Sequence, residues 1–124
     1  MKEKRFNNFD LEERTFKFAK AVSIFVKKLP INTSNIEYSK QLIRSSGSVG
    51  ANYIEANEAL SKKDLLMRIK ISRKEAKESA YWIRLIIGVN NDMYKKELNP
   101  FYIEAIELKK IFSQIIINIE KGKN

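Results

Sequence analysis

The chain has 124 residues, of which 24 are Lys or Arg and 15 are Asp or Glu, so its formal net charge at pH 7 is +9. It contains no Cys and no His, which excludes disulfides and thiolate metal sites and removes the commonest metal ligand and general base. With 44% hydrophobic and 31% charged residues, the composition predicts one folded domain over residues 1–124.

The amino-terminal segment, MKEKRFNNFDLEER, is charged where a secretory signal peptide needs an apolar run. No stretch reaches the roughly 18 apolar residues of a membrane-spanning helix. We therefore expect a cytoplasmic protein with no membrane partner. The excess of basic residues favours anionic partners such as nucleic acid. A chain rich in Lys, Ile and Asn is, however, also typical of proteins encoded by AT-rich genomes.

The first predicted helix covers residues 10–29. Asp10 is a suitable N-cap, and Pro30 ends the helix because proline lacks a backbone N–H. Apolar residues, with one threonine in register, recur at alternating steps of four and three and predict its buried face: Leu11, Thr15, Phe18, Val22, Phe25 and Leu29.

A polar connection, residues 32–35, leads into a second predicted helix over residues 36–60. Ser61 followed by Asp64 resembles a capping box with Asp in place of Glu, so a third helix, 61–89, should follow almost without a linker. The two helices would form a tight antiparallel hairpin. The core positions predicted on the second helix are Ile43, Val49, Gly50, Tyr53, Ile54 and Leu60.

The third helix has the most regular pattern in the chain. Its predicted buried positions repeat at steps of four and three: Leu65, Ile69, Ser72, Ala76, Ser79, Ile83 and Ile86. After a polar break at residues 90–92, Asn99 and Pro100 supply an N-cap and a first-turn proline for a fourth helix over 99–121. Its predicted seam is Phe101, Ala105, Leu108, Phe112, Ile115 and Ile119.

Four amphipathic helices with short connections predict an all-α fold, an antiparallel up-down-up-down four-helix bundle. The first and fourth helices are apolar on more than one face. One core cannot bury all of these side chains, so they indicate either a wide core stripe or, as we expect, a contact between subunits. The residues concerned are Phe16, Phe18, Ile24, Phe25, Val26, Ile111, Phe112, Ile115, Ile116 and Ile117.

Small residues are concentrated in the middle of the second helix. A glycine costs about 1 kcal/mol inside a helix, so the cluster indicates the close approach of another backbone. The cluster is Ser45, Ser46, Gly47, Ser48, Gly50 and Ala51, and its predicted partners on the third helix are Ser72, Ala76, Ser79 and Ala80. The GSVG sequence at 47–50 resembles the phosphate-clamping loop of a KH domain only in its letters, since no strand flanks it.

No arrangement of residues indicates catalysis or cofactor binding. Glu55/Glu58 and Glu75/Glu78 lie on adjacent helices, but a carboxylate-bridged di-metal site in a bundle also needs Glu-x-x-His pairs. The serines have no base of the usual type. We therefore expect no enzyme activity, no metal, no cofactor and no small-molecule substrate.

Three polar residues of the second helix are interpreted as structural: Arg44, Asn52 and Glu55. Polar side chains that face an interior or an interface are costly without hydrogen bonds. Each of the three should therefore have a partner.

The third helix also carries most of the positive charge, since residues 61–84 hold eight basic and three acidic side chains. Cations recur every seven residues, with one more beside them, on the side opposite the apolar seam. The pattern suits a track for the phosphate backbone of RNA or DNA, but it is equally that of a solvated face that keeps a protein soluble. The residues are Lys63, Lys70, Lys74, Lys77 and Arg84.

Three further residues of this helix are candidates for the same surface. Arg73 would add to the phosphate contacts. Tyr81 and Trp82 would stack on bases, or else belong to the core or to a subunit contact.

The segment RSSGSVGANYIEANEALSKKDLLMRIKISRKEAKES, residues 44–79, resembles the four-helix-bundle proteins encoded within intervening sequences of bacterial 23S rRNA genes. The opening DLEERTFKFAKAVSIFVKKLP is similar to the first helix of that family. Two positions depart from its pattern, Asn57 where a Gly is usual and Asp64 where a Glu is usual. The matching positions are Arg44, Ser48, Gly50, Asn52, Glu55, Ser61, Asp64, Leu65, Ser72 and Glu78.

The resemblance implies a homopentamer of four-helix bundles, arranged as a barrel around a central channel. The same fold occurs in the accessory variability proteins of diversity-generating retroelements, which bind nucleic acid and assist a reverse transcriptase. A reverse transcriptase is therefore an implied partner.

Together these observations predict a non-enzymatic, oligomeric protein that binds RNA or DNA without sequence preference through its third helix. The alternative is a scaffold or assembly protein whose apolar outer faces bind copies of itself or a partner protein, with the charge serving solubility. A membrane-surface helix fits less well, because the periodic seams suit helix partners.

Overall fold

In a computed structural model, which describes residues 8–122, the chain forms four α-helices. They are α1 (Asn8–Phe25), α2 (Thr33–Asn57), α3 (Lys62–Val89) and α4 (Asp92–Glu120), with a 3₁₀ turn at Val26–Lys28 after α1. No β-strand occurs within residues 8–122, so this part of the chain is all-α as predicted. The predicted domain also included residues 1–7 and 123–124, which lie outside the described residues.

The α1 helix begins before its predicted cap. Asp10 lies in the first turn, where a carboxylate is still favourable because it faces the positive end of the helix dipole. The helix ends at Phe25 instead of Leu29, and the 3₁₀ turn closes with the Leu29 N–H donating to the Val26 carbonyl at 3.2 Å. Leu29 is extended because a residue before proline is disfavoured in the helical region.

Side-chain caps set the starts of α2 and α3. The Asn32 side chain accepts from the Asn35 N–H at 2.9 Å, so α2 begins at Thr33, three residues before the predicted start. The Ser61 hydroxyl accepts from the Asp64 N–H at 3.0 Å, as the capping pattern predicted. The α2 helix ends at Asn57, so the predicted end at residue 60 was wrong and Leu60 is fully exposed in the connection.

The predicted start of α4 was also wrong. The helix begins at Asp92, and Pro100 lies inside it. Leu98 is buried ahead of the proline, and Tyr94 packs against the core. Burial of this turn favours a continuous helix despite the hydrogen bond that the proline removes.

The helices pack around one core in the order of the chain. The α3 helix contacts both α2 and α4, while α1 contacts α2 and, over a shorter length, α4. Because the connections are short, each helix runs antiparallel to the previous one, which is the arrangement of an up-down-up-down bundle. Among the central side chains, Phe112 of α4 packs on Tyr53 of α2 with ring centroids 5.9 Å apart.

The buried face of α3 agrees with the prediction, whereas that of α2 agrees only at Val49 and Tyr53. On α3 only Leu65 of the seven predicted positions is half-buried and the rest are buried. On α2, Ile43 and Ile54 are exposed, although both were predicted in the core. The side chains that α2 buries instead include Leu42, Ser45 and Ser46.

Serines occupy the α2 core because their hydroxyls can be satisfied there while their small volume lets α3 approach. Ser45 Oγ lies 2.8 Å from Ser79 Oγ of α3, and the Ser72 hydroxyl donates to the Val49 carbonyl at 2.9 Å. The predicted contact between the two small-residue surfaces is confirmed by these bonds. Gly50 instead faces Thr15 of α1, so its predicted partner was wrong.

On α1 and α4, the predicted surplus of apolar side chains is present. Phe16 and Ile24 of α1 and Ile117 of α4 are exposed, while their neighbours in the two patterns are buried or half-buried. In the predicted seam of α4, Phe101 and Ile115 are half-buried and the other four residues are buried. Ile116, which was not predicted in the seam, is also buried. One core therefore leaves apolar surface uncovered on more than one helix.

Candidate nucleic-acid interface

The five predicted cations of α3 lie together on its outer side, and we call them the cationic row. All five are exposed, and they follow the helix from its first turn almost to its end. The helix begins at Lys62 behind the Ser61 cap, and its buried face holds the opposite side against α2 and α4. The row consists of Lys63, Lys70, Lys74, Lys77 and Arg84.

One member of the row has a partner. Lys70 Nζ lies 3.8 Å from Glu120 Oε2 at the end of α4, a long contact between two half-exposed side chains that contributes little. The other four cations form no ion pair with any residue in the range 10–122. Their charges are therefore available to an anionic ligand.

Two further arginines of α3 are less exposed than the row, Arg68 and Arg73. Arg73 is half-buried, so it is less accessible than the members of the row. Arg68 Nη1 donates to Asn52 Oδ1 at 3.0 Å, which holds that guanidinium against α2. Arg73 remains a predicted contributor, and Arg68 is a structural residue.

The polar residues predicted to be structural on α2 have different environments. Arg44 is exposed and donates from Nη2 to Glu75 at 3.3 Å and to Glu78 at 3.2 Å. Asn52 is half-buried and donates to the Ser48 carbonyl at 2.9 Å while accepting from Arg68. Glu55 is exposed, so it does not face the interior of this chain, and its position at a subunit interface stays a prediction.

The Arg44 contact was not anticipated from the sequence. The Glu75 carboxylate is only 9% exposed, and Arg44 of the neighbouring helix is the cation that balances it. The two residues are 31 positions apart, so no local spacing indicates the pair. Glu75 and Glu78 thus share the Arg44 guanidinium as their common cation.

Tyr81 lies within the row and not beside it. Positions 74, 77, 81 and 84 are successive steps of three and four along one helix surface, and Tyr81 is 53% exposed there. Trp82 is half-buried and packs against the core with Tyr38 of α2. The structure thus separates the two aromatics that the sequence could not distinguish.

Perturbed pKa values occur elsewhere in the described chain. The Glu104 carboxylate, which accepts from Arg14 Nε at 2.7 Å and from Nη2 at 2.9 Å, raises the pKa of the Arg14 guanidinium. Burial raises the pKa of the Tyr53 hydroxyl, opposed by its hydrogen bond with Asn57. Both sites are structural contacts between or within helices.

Among residues 10–122, no group of three or more acidic side chains is placed to hold a metal ion. Within the same part of the chain, no helix is long and apolar enough to cross a membrane. The cationic row is therefore the surface that we consider as a binding site. Its first half borders a shallow depression of about 410 Å³ lined by Lys63, Leu66, Met67, Lys70, Ile71 and Lys74.

The fold and the row define a basic, all-α protein of four helices. The sequence matches the family described as 23S rRNA-intervening sequence protein over residues 7–114, and the chain belongs to that family. This match confirms the resemblance seen in residues 44–79.

A solved structure supports the same assignment. The chain is similar to a protein of unknown function from the S23 ribosomal protein family of Bacteroides thetaiotaomicron VPI-5482, whose crystal structure has a resolution of 1.70 Å. The TM-score is 0.74 at 29% sequence identity, over 88% of this chain and 96% of that chain. No curated protein matches the sequence.

Proposed function

We propose that this protein is non-enzymatic and oligomeric, and that it binds RNA or DNA without sequence preference through the cationic row. The observation that carries the proposal is the row itself, five exposed cations on one helix surface, four of them without an ion-pair partner among residues 10–122. Aligned lysines bind phosphates as point charges, and the affinity arises from the release of counterions. This contribution to the affinity does not depend on the base sequence.

The length of the row suits an extended ligand. From Lys63 to Arg84 the helix rises by roughly 30 Å at 1.5 Å per residue, so that several successive phosphates would be in reach. Assembly of several copies would place several rows in one particle. Simultaneous binding to one strand would then exceed the affinity of a single row.

Exposed apolar side chains support the oligomeric part of the proposal. Ile36, Ile43 and Ile54 lie on one outer face of α2, in addition to Phe16 and Ile24 on α1. The family resemblance leads us to propose five copies arranged as a barrel. We further propose that the protein acts in the cytoplasm, with a reverse transcriptase as a candidate protein partner.

The test is charge reversal in the row. In the K70E/K74E/K77E variant, the affinity for a single-stranded RNA and a duplex DNA should fall at least about a hundredfold at low salt, because three attractive contacts become repulsive. Fluorescence anisotropy measures the affinity, and native mass and circular dichroism establish that assembly and helix content are retained.

A matched control makes the same change of net charge at the amino-terminal end of the fold, outside α3. Lys17 and Lys20 are exposed on α1, and Lys27 is exposed in the 3₁₀ turn that follows it. The α1 helix contacts α2 and α4, while α3 packs between the same two helices. In the K17E/K20E/K27E variant the affinity should fall much less. Equal losses in both variants would show that net charge alone attracts nucleic acid, and that the row is not the site.

The alternative function is a scaffold that binds copies of itself or a partner protein. The exposed isoleucines on α2 favour it, since solvated isoleucine rows on a helix are typical of contact surfaces. If the intact oligomer binds neither nucleic acid even at low salt, the row serves solubility and the scaffold function replaces the first proposal.

A further inference from the structure

Resting on the proposed function, we infer that the cationic row takes single-stranded nucleic acid in preference to a duplex, with one unpaired base stacked on Tyr81 and the flanking phosphates on Lys77 and Arg84. The inference depends on where Tyr81 lies, on how its ring is held and on what its neighbours contact.

Tyr81 is in line with the charges. It follows Lys77 by four residues and precedes Arg84 by three, so the three side chains occupy successive turns of the same outer surface of α3. Neither Lys77 nor Arg84 forms an ion pair with the rest of the described chain. An aromatic ring between two available cations is the arrangement in which a strand binds by its phosphates and stacks by its base.

At least one face of the Tyr81 ring is free for a ligand to stack on. Its centroid lies 5.3 Å from that of Trp82, and the two ring planes meet at 66°. In an edge-to-face contact only one ring presents its face, so Trp82 covers at most one face of Tyr81. With 53% of the residue exposed, the remaining surface is open to a ligand.

The ring is also supported from behind. Trp82 packs against the core and lies 6.0 Å from Tyr38 of α2, centroid to centroid, with the planes inclined at 32°. Tyr81 therefore rests on an aromatic pair anchored by two helices. A ring held in this way loses little conformational entropy when a base stacks on it.

The preference for single strands follows from base geometry. In a duplex each base is already stacked and paired, so Tyr81 would add nothing to the phosphate contacts. In a single strand a base can turn outward onto the ring, and aromatic stacking tolerates every base. The row with Tyr81 would thus distinguish strands from duplexes without reading sequence.

The experiment compares Y81A with Y81F and with F16A as a matched control. Phe16 is an exposed aromatic on α1, 5.9 Å from a lysine Nζ and away from the row. The probes are an oligouridylate, an oligothymidylate and a duplex DNA with an equal number of phosphates. Both single strands should respond alike, because stacking and phosphate contacts do not read the 2′-hydroxyl.

We expect Y81A to weaken binding of the single strands by roughly five- to a hundredfold and to leave duplex binding unchanged. Y81F keeps the ring and should bind as the unmodified protein does. F16A should also bind as the unmodified protein does, compared at equal native mass because Phe16 is a candidate subunit contact. Because Trp82 is the only tryptophan in the chain and contacts Tyr81, single strands should also change its fluorescence, and the duplex should not.

Equal losses for strands and duplex in Y81A, or no loss at all, would overturn the inference. A change in the native mass of Y81A would also overturn it, since Tyr81 would then be a subunit contact. Failure of the proposed function looks different: K70E/K74E/K77E would bind all three probes as well as the unmodified protein. If that variant loses much more binding than K17E/K20E/K27E while Y81A loses none, only the base contact is wrong.

Discussion

Gly50 and Gly47 lie three residues apart on α2, and only one of them is required by packing. A Cβ at position 50 would lie 2.8 Å from Thr15 Oγ1 and 3.2 Å from Thr15 Cβ, whereas a Cβ at position 47 would meet nothing within 4 Å. Thr15 is buried, and its hydroxyl donates back into α1, to the Leu11 carbonyl at 3.0 Å. It therefore has little freedom to move aside.

We predict opposite effects of alanine at these two positions. G50A should lower the free energy of unfolding by about 1–3 kcal/mol, since α1 and α2 must separate or Thr15 must change rotamer. G47A should raise it by about 0.5–1 kcal/mol, because alanine loses less backbone entropy in a helix. Urea unfolding at one protein concentration measures both, and stabilisation by G50A would contradict the Thr15 contact.

At the scale of elements, the regularity of α3 contrasts with the ambiguity of α2 and α4. The α3 seam could be predicted because the helix has a single apolar stripe, with polar residues on its opposite side. On α2, the sequence offers both isoleucines and serines as core residues. The serines are buried, and Ser45 is hydrogen-bonded there to Ser79 of α3. On α4, the Asn99-Pro100 pair has the chemistry of a helix start, but burial of Leu98 extends the helix beyond it.

Pro100 should therefore reduce the stability of α4. A proline inside a helix removes one backbone hydrogen bond and clashes with the carbonyl four residues earlier, at a cost of about 3 kcal/mol. We expect P100A to raise the free energy of unfolding by about 1–3 kcal/mol, measured in urea. The control is N99A, an exposed neighbour, which should change stability by less than about 0.5 kcal/mol. An unchanged free energy of unfolding in P100A would mean that contacts around the proline already offset its cost to the helix.

For the whole molecule, the exposed isoleucines of the outer α2 face and the cationic row lie on different helices. The isoleucines of the outer α2 face suit contacts with another protein surface, and the cations of α3 suit phosphate. Separate surfaces allow assembly and ligand binding to occur together. They also allow each to be removed without the other.

We predict that the I43D/I54D variant has a lower native mass than the unmodified protein, because buried carboxylates would oppose a contact through α2. Light scattering measures the mass, and circular dichroism should show unchanged helix content, since both side chains are exposed. The control is L60D in the connection between α2 and α3, which should leave the mass unchanged. A monomeric unmodified protein at micromolar concentration would end the oligomer proposal.

The sequence by itself determined the helical class, the buried seam of α3 and the exposed charges opposite it. These properties depend on spacing within one helix, and a period of 3.6 residues is enough to separate its faces. The resemblance in residues 44–79 likewise identified the family, because motif residues are local in the chain.

Only the tertiary structure decided which residues join Val49 and Tyr53 in the core face of α2, and where α4 begins. It also showed that Arg44 balances Glu75 and that Gly50 meets Thr15. Each of these depends on free energies of burial and hydrogen bonding between residues far apart in the chain, which no local pattern encodes. The position of Tyr81 among the cations was implicit in the spacing. Its separation from Trp82, one exposed and one packed on the core, required the neighbouring helix.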